Sequence, residues 1–326
     1  MQQDRLTVNI VHLQDVDEQA DMLPGWEQEY QQLGCGQFSG TLAFAEVQDF
    51  ALIRETTNMA LHESLMPPKD QMIVGMCLSS ENSPTFNGKD FDQNSLIMID
   101  GQHSHDIRTA GFVELLGISV NRDYFFSKIH EQEVRIATDS IKSSVTQLEP
   151  RAAEMLRQYF ILVSDILQRR EETRSETLTP RMLANSTISS IALAVSLSMQ
   201  DKYLDTTTPK SQHRRDRIVQ HAIEYMRKNA GEEIGILDVC AATHVSRRTL
   251  QYCFEERLKI SPLQYLKALR LNQARRQLKH LVELQLAHEN ENTIASVAAL
   301  CGFNHASRFA CDFKRMFGEL PSHIKG

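Results

Sequence analysis

The chain has 326 residues, enough for about two domains, and its 24% charged and 41% hydrophobic residues are the balance of a soluble globular protein. The polar, acidic start (Met1, Gln2, Gln3, Asp4) lacks a basic-then-apolar leader, and the most apolar run, Ile188 to Met199, is short for a bilayer span and broken by serines. A cytoplasmic location is therefore expected, with no membrane partner. The net charge of −7 hides an asymmetry: residues 1–209 hold 16 Lys+Arg and 30 Asp+Glu, whereas residues 210–326 hold 19 and 12. A basic module beside an acidic one is the footprint of a nucleic-acid-binding part joined to a part that does something else.

Residues 40–120 read as short strands: Thr41–Ala45, Phe50–Arg54, Met72–Leu78, Ser95–Asp100 and Phe112–Val120. Turn formers separate them, including Pro67-Pro68 and Asp100-Gly101. That spacing predicts an antiparallel sandwich or barrel. Two amphipathic helices follow, over 149–170 and 180–203. Ala152, Leu156, Phe160, Val163 and Leu167 share a face of the first, and Leu183, Ile188, Ile191 and Val195 a face of the second. The polar stretch Asp205–His213 has no apolar period and lies where the charge changes sign, so it is the predicted linker. The predicted organisation is residues 1–204 (strands to about 120, helices from about 121), a linker at 205–213, and a second domain at 214–326.

An internal repeat fills the second domain. Leu250, Phe254, Leu258 and Pro262 recur 59 residues later as Phe309, Phe313, Phe317 and Pro321; Ile236 and Val239 recur 58 residues later as Ile294 and Val297. In each copy a short helix (Ile236–Thr243; Thr293–Cys301) leads through a tight turn into a second helix. Gly302 supplies a positive φ at one turn. Ser246, and Asn304 or His305, stand where the second helices are capped. This is the pattern of a helix-turn-helix, whose second helix presents a polar face to the major groove. That face carries Arg247, Arg248, Gln251, Tyr252 and Glu255 in the first copy, with Ser246 at its start as a further candidate DNA contact; Arg reads guanine and Gln reads adenine. The second copy offers Asn304, His305, Ser307, Arg308, Lys314 and Arg315 as phosphate-backbone contacts. Between the copies a helix from Ser261 to about Leu281 is predicted, with Arg270, Arg275, Arg276 and Lys279 along it as phosphate contacts or solvated charges.

These residues resemble the AraC/XylS family of bacterial transcription regulators over about 215–326. The first copy reads Ser246, Leu250, Phe254, then Ser261, Pro262, Tyr265, Leu266, Arg270, Leu271, Ala274 and Leu278. The second reads Ile294, Ala295, Ala298, Gly302, Phe303, then Phe309, Phe313, Lys314, Phe317, Gly318 and Pro321. One departure is Lys259, where the family usually has glycine, and a differently built turn is expected there. The base-contacting slots of the second copy hold Ala306, Ser307 and Cys311, so that copy is expected to anchor more than read.

The resemblance implies an α+β chain: an N-terminal cupin-like β-barrel with dimerisation helices, then an all-α double helix-turn-helix domain. It implies double-stranded DNA, a second copy of the chain, RNA polymerase and a small-molecule effector as partners, and more often activation than repression. The alternative is a first domain that only dimerises or binds a protein. Trp26–Gly40, Ile53-Arg54-Glu55 and Leu116-Gly117-Ile118 weakly resemble the ethanolamine-regulator type, a likeness that carries no ligand with it.

Arg54 and His103 are the candidate effector contacts. Arg54, within an apolar strand, suits an anionic ligand or, more commonly, an acidic neighbour. His103 and His105 form an H-x-H, but Thr109 and Ala110 stand where an enzymatic cupin has its glutamate, so a turn or pocket-mouth role is expected and no metal. The six cysteines contain no C-x-x-C pair, and Cys240, Cys253, Cys301 and Cys311 fall in helical patterns as small core or groove residues. No P-loop, G-x-S-x-G or dinucleotide glycine pattern occurs, and Cys35 and Cys77 alone do not make the cluster of a repair methyltransferase. Neither a cofactor nor an enzymatic activity is expected.

Overall fold

The computed structural model describes residues 7–47, 50–131, 144–173, 179–200, 210–284 and 291–324. The chain divides into two compact units: residues 1–30, 39–58 and 63–207, and residues 31–38, 59–62 and 208–326.

Up to residue 200 the elements are β1 (Thr7–Leu13), α1 (Val16–Ala20), β2 (Glu27–Gln32), β3 (Gly40–Val47), β4 (Phe50–Thr57), β5 (Leu61–Met66), β6 (Gln71–Ser80), β7 (Thr85–Phe86), β8 (Lys89–Asp90), β9 (Ser95–Asp100), β10 (His105–Arg108), β11 (Val113–Asn121), α2 (Arg122–Glu131), β12 (Ser144–Gln147), α3 (Pro150–Thr173) and α4 (Pro180–Gln200). They form a seven-stranded sheet, β1-β3-β4-β11-β6-β9-β12, and a five-stranded one, β2-β5-β10-β7-β8. All neighbours in the larger sheet are antiparallel.

The larger sheet is buried on both faces, which explains its nearly continuous apolar strands. Val74, Met76, Leu96, Met98, Leu116 and Ile118 meet Phe125 of α2, Leu156 and Phe160 of α3, and Ile188 and Ile191 of α4. The alternate residues Ile73, Cys77, Ile97 and Ile99 meet Leu65, Phe86 and Ile107 of the smaller sheet. Of the sandwich or barrel read from the strand spacing, and the cupin-like barrel implied by the resemblance, the closure is not seen. The sheet orders end at β1 and β12 and at β2 and β8, leaving two packed layers. Strand spacing is the same in a sandwich and a barrel; edge-to-edge closure is not written in hydropathy.

The second unit holds α5 (Lys210–Lys228), α6 (Ile236–Thr243), α7 (Arg247–Leu258), α8 (Pro262–Glu283), α9 (Glu291–Leu300) and α10 (Ala306–Phe317). Helix α5 begins inside the stretch read as linker; residues 205–209 lie outside the described ones. Its first two turns are polar in sequence, and the buried residues Val219, Ala222, Ile223 and Met226 lie further along, so the apolar period announces the helix late.

One long helix serves two cores. Tyr265, Leu266 and Leu269 of α8 join Val239, Leu250 and Phe254. Ala268, Leu271, Ala274 and Leu278 join Val297, Phe309, Phe313 and Phe317. Residues 31–38 and 59–62 complete this unit. The Asn272 side chain, 2% exposed, donates to Gln32 O (2.9 Å) and Ala268 O (2.8 Å) and accepts from Gln32 N (3.1 Å). Gln32 Nε2 donates to Met316 O (2.6 Å), and His62 Nδ1 lies 2.8 Å from the Tyr265 hydroxyl. Leu33 packs against both cores.

Candidate functional site

Two helix-turn-helix units are formed, α6–α7 and α9–α10. Ser246 caps α7 by accepting from Thr249 N (3.1 Å), satisfying a donor that the helix start would otherwise leave open. His244, with φ 53, makes the turn before it without a glycine. In the second unit Gly302 takes φ 77, and the N-cap is His305, with no side-chain hydrogen bond, rather than Asn304.

Leu250, Cys253, Phe254 and Leu258 fix α7 from behind. This leaves Ser246, Arg247, Arg248 and Tyr252 exposed and Gln251 half-buried. Gln251 Nε2 donates to Glu255 Oε1 at 2.5 Å, so its amide is occupied. Arg215 of α5 lies 6.0 Å from the Tyr252 ring centroid and 2.7 Å from Glu256, adding a cation beside this face that the sequence reading missed. On α10 and its lead-in, Asn304, His305, Ala306, Ser307, Arg308, Cys311 and Lys314 are all exposed, while Phe309, Phe313 and Phe317 form a chain of ring contacts at 5.5 and 4.6 Å on the hidden side.

The basic residues of α8 divide differently from their sequence reading. Arg270 is held within the fold rather than freely solvated. It donates to the carbonyls of Ala230 (3.1 Å), Glu232 (2.7 Å) and Ile234 (3.1 Å) in the loop before α6. A Cβ on Gly302 would come within 2.9 Å of the same guanidinium, so Arg270 ties that loop to the turn of the second unit. Arg275, 9% exposed, lies over Phe317 at 5.2 Å.

The first unit holds a partly open cavity of about 70 Å³. Ile53, Ile73, Ile97, Ile99, Leu115, Leu65, Ile107 and Trp26 line it, with Gln28, Tyr30, Glu55 and Glu63 as the polar lining. The directly paired Gly75 and Gly117 also line it. Glu55 Oε1 accepts from Gln19 Nε2 (2.6 Å) and the Tyr30 hydroxyl (3.0 Å). Burial and then the charges of Glu55 and Glu63 raise the Tyr30 phenol well above its ordinary value.

Neither candidate effector contact lines this cavity. Arg54, one residue from Glu55, takes the opposite face of β4 and pairs with Glu114 at 2.6 Å. His103 is 3.1 Å from Asp100 Oδ1, and His105 is 2.9 Å from Asp100 O and stacked on Phe86. Among the described residues no group of three or more His, Cys, Asp or Glu side chains is placed to hold a metal, and no helix is long and apolar enough to cross a membrane. Cys240, Cys253 and Cys301 are buried, and burial pushes the Cys301 thiol up to about 11; Cys311 is exposed.

A family model described as a helix-turn-helix domain matches residues 239–326. The probable thc operon regulatory protein of Rhodococcus erythropolis is 33% identical over 105 residues, 32% of this chain and 30% of that protein. The transcriptional activator RhaS of Pectobacterium carotovorum is 25% identical over 107 residues, 33% of this chain and 35% of its own length. The match thus spans about a third of these curated relatives. A solved structure of a probable AraC family regulator from Rhodopseudomonas palustris is 30% identical, covering 32% of this chain and 92% of that one, with a TM-score of 0.29. The module formed by these two helix-turn-helix units is that of the AraC/XylS family of transcription regulators.

Proposed function

We propose that this protein binds a specific duplex DNA site, with α7 reading bases in one major-groove segment and α10 holding the backbone of the next. The observation that carries this is the exposed pair Arg247 and Arg248 at the first turn of a helix whose other face is locked in a core. The test is a gel-shift titration of the full chain on duplexes selected from a random pool. Arg248→Ala is expected to cost about 1–3 kcal/mol on the selected site and to relax its sequence preference. Unchanged affinity and preference would overturn the base-reading role. Arg308→Ala is expected to weaken all duplexes alike and flatten the salt dependence; a loss confined to one sequence would overturn the anchoring role.

The first unit is the regulatory part: a cupin-like sensor that receives a small-molecule effector in its cavity and dimerises through α3 and α4. The largely apolar cavity supports the sensor. Leu162, 55% exposed, and Leu193, 50% exposed, support a helical dimer face. With an effector bound, the cytoplasmic dimer activates transcription by contact with RNA polymerase. The second reading, a first unit that only dimerises, is separated by a thermal-shift screen of small metabolites. No stabilisation by any of them, with the dimer intact, would favour it.

A further inference from the structure

Glu63 stands out in the first unit. It is 2% exposed, lines an otherwise mostly apolar cavity, and has no hydrogen-bond partner among the described residues. Nor does any described Lys, Arg or His pair with it or with Glu55, the second carboxylate lining the cavity. Burying a carboxylate without a partner is costly, and the fold gives no reason to place Glu63 beside a second carboxylate. The Tyr30 hydroxyl lies 3.0 Å from both Glu55 Oε1 and Gln28 Oε1, yet it has one proton to give. If Glu55 takes that proton, Gln28 meets Tyr30 through its amide nitrogen. The Gln28 amide oxygen then falls at the buried, unpartnered position now occupied by Nε2. Three residues with acceptor oxygens thus line one cavity: Glu63, Glu55 and Gln28.

The space beside them is made by glycine. Gly75 and Gly117 sit opposite each other on β6 and β11, and neither has a positive φ. A Cβ at either would meet nothing closer than 3.5 Å. The backbone does not require glycine at these positions; what the two glycines provide is room.

We infer that the cavity takes a primary ammonium ligand with an apolar body, its cationic head seated between Glu55 and Glu63 with Gln28 as third acceptor. This deepens the sensor reading of the first unit and rests on it. Three N–H donors match three acceptors, and one positive charge answers a pair that otherwise has no cation. An anion would face two carboxylates, and a neutral alcohol would leave Glu55 uncompensated.

The titratable groups lining the cavity are Tyr30 from β2, Glu55 from β4 and Glu63 from β5. Burial, and then the charge of Glu55, hold the Glu63 carboxyl well above the usual carboxylate range. Burial also raises Glu55, against the lowering by hydrogen bonds from Gln19 and Tyr30. Both shifts favour protonation of the pair, and a seated ammonium takes the place of a proton.

Calorimetry of the full chain at neutral pH, in two buffers of different ionisation enthalpy, tests this. The probes are hexylamine and phenethylamine, each against its alcohol and carboxylate counterpart (hexanol and hexanoate; phenethyl alcohol and phenylacetate). At least one amine is expected to bind about tenfold tighter than its counterparts, with proton release. Glu63→Gln is expected to lose about tenfold on the amine and nothing on the alcohol. Glu55→Gln serves as the second variant should Glu63→Gln fail to fold, with the same result expected. Gly117→Val should block every probe. The assignment is overturned if no amine outbinds its counterparts, or if both carboxamide variants keep the amine affinity. Gel shifts on the selected duplex separate this from the sensor reading. Amine binding that leaves DNA affinity unchanged removes the sensor and keeps the site. A DNA response to the amine that persists in Glu63→Gln removes the site and keeps the sensor.

Discussion

At the end of α7, Lys259 holds φ 56 and ψ 15, the left-handed conformation that closes many helices and that glycine adopts without a Cβ clash. The lysine makes the same turn that glycine makes elsewhere; the turn is not rebuilt around it. Lys259→Gly is therefore expected to stabilise the second unit by about 0.5–1 kcal/mol, read from denaturant midpoints. His105 gives a pH prediction. Burial lowers its pKa, only partly opposed by the hydrogen bond to Asp100 O and the Asp100 charge. The unfolded chain then holds the proton more tightly. The contribution of His105 to stability is complete above about pH 6.5 and is lost as the pH falls through its lower folded value. Urea midpoints measured across that range should drop more steeply for the wild type than for His105→Phe. The sequence reading had His103 and His105 as a pair; in the fold one is exposed and the other is a core side chain, a difference set by burial that spacing does not reveal.

The helices of the second unit were legible in the sequence because apolar residues recur at helical spacing and the capping residues are standard. The bounds of α6 match their prediction. What was not legible is which polar residues the cores consume. Arg270 looks like any solvated helix arginine until the three carbonyls before α6 converge on it. Arg270→Ala is expected to destabilise this unit by about 1–3 kcal/mol through those orphaned acceptors. Gly302→Ala should do comparable damage, since it meets both a positive φ and the guanidinium. Asn272→Ala, which strands the backbone of Gln32, is expected to cost about 1–3 kcal/mol by the same measurement. In β4 and β5 the signal was present but faint. Glu55 and Glu63 are charged residues in mostly buried strands, and the alternation that turns them inward is clear only once the two sheets are paired.

For the molecule as a whole, charge and periodicity separated a basic helical part from an acidic strand-rich one. The composition of the second unit escaped that division: residues 31–38 and 59–62, far upstream, are part of it. Hydrophobic patterning reports which residues are buried, not which distant stretch buries them. Helix α8, with 22 residues, is about 33 Å long, close to the roughly 34 Å of one DNA turn. On the proposed reading, a reading helix and an anchoring helix on one rigid spacer behave as a bivalent ligand. Once α7 is seated, α10 searches a small volume at high effective concentration, and escape requires both to let go before either rebinds. Residence time on the operator therefore depends on helical phase as well as on sequence. Lengthening the selected site by about five base pairs between its two contact segments turns the second to the far side of the duplex. The off-rate, read by competition, should then rise toward that of a site carrying a single segment, even though every contacted base is still present.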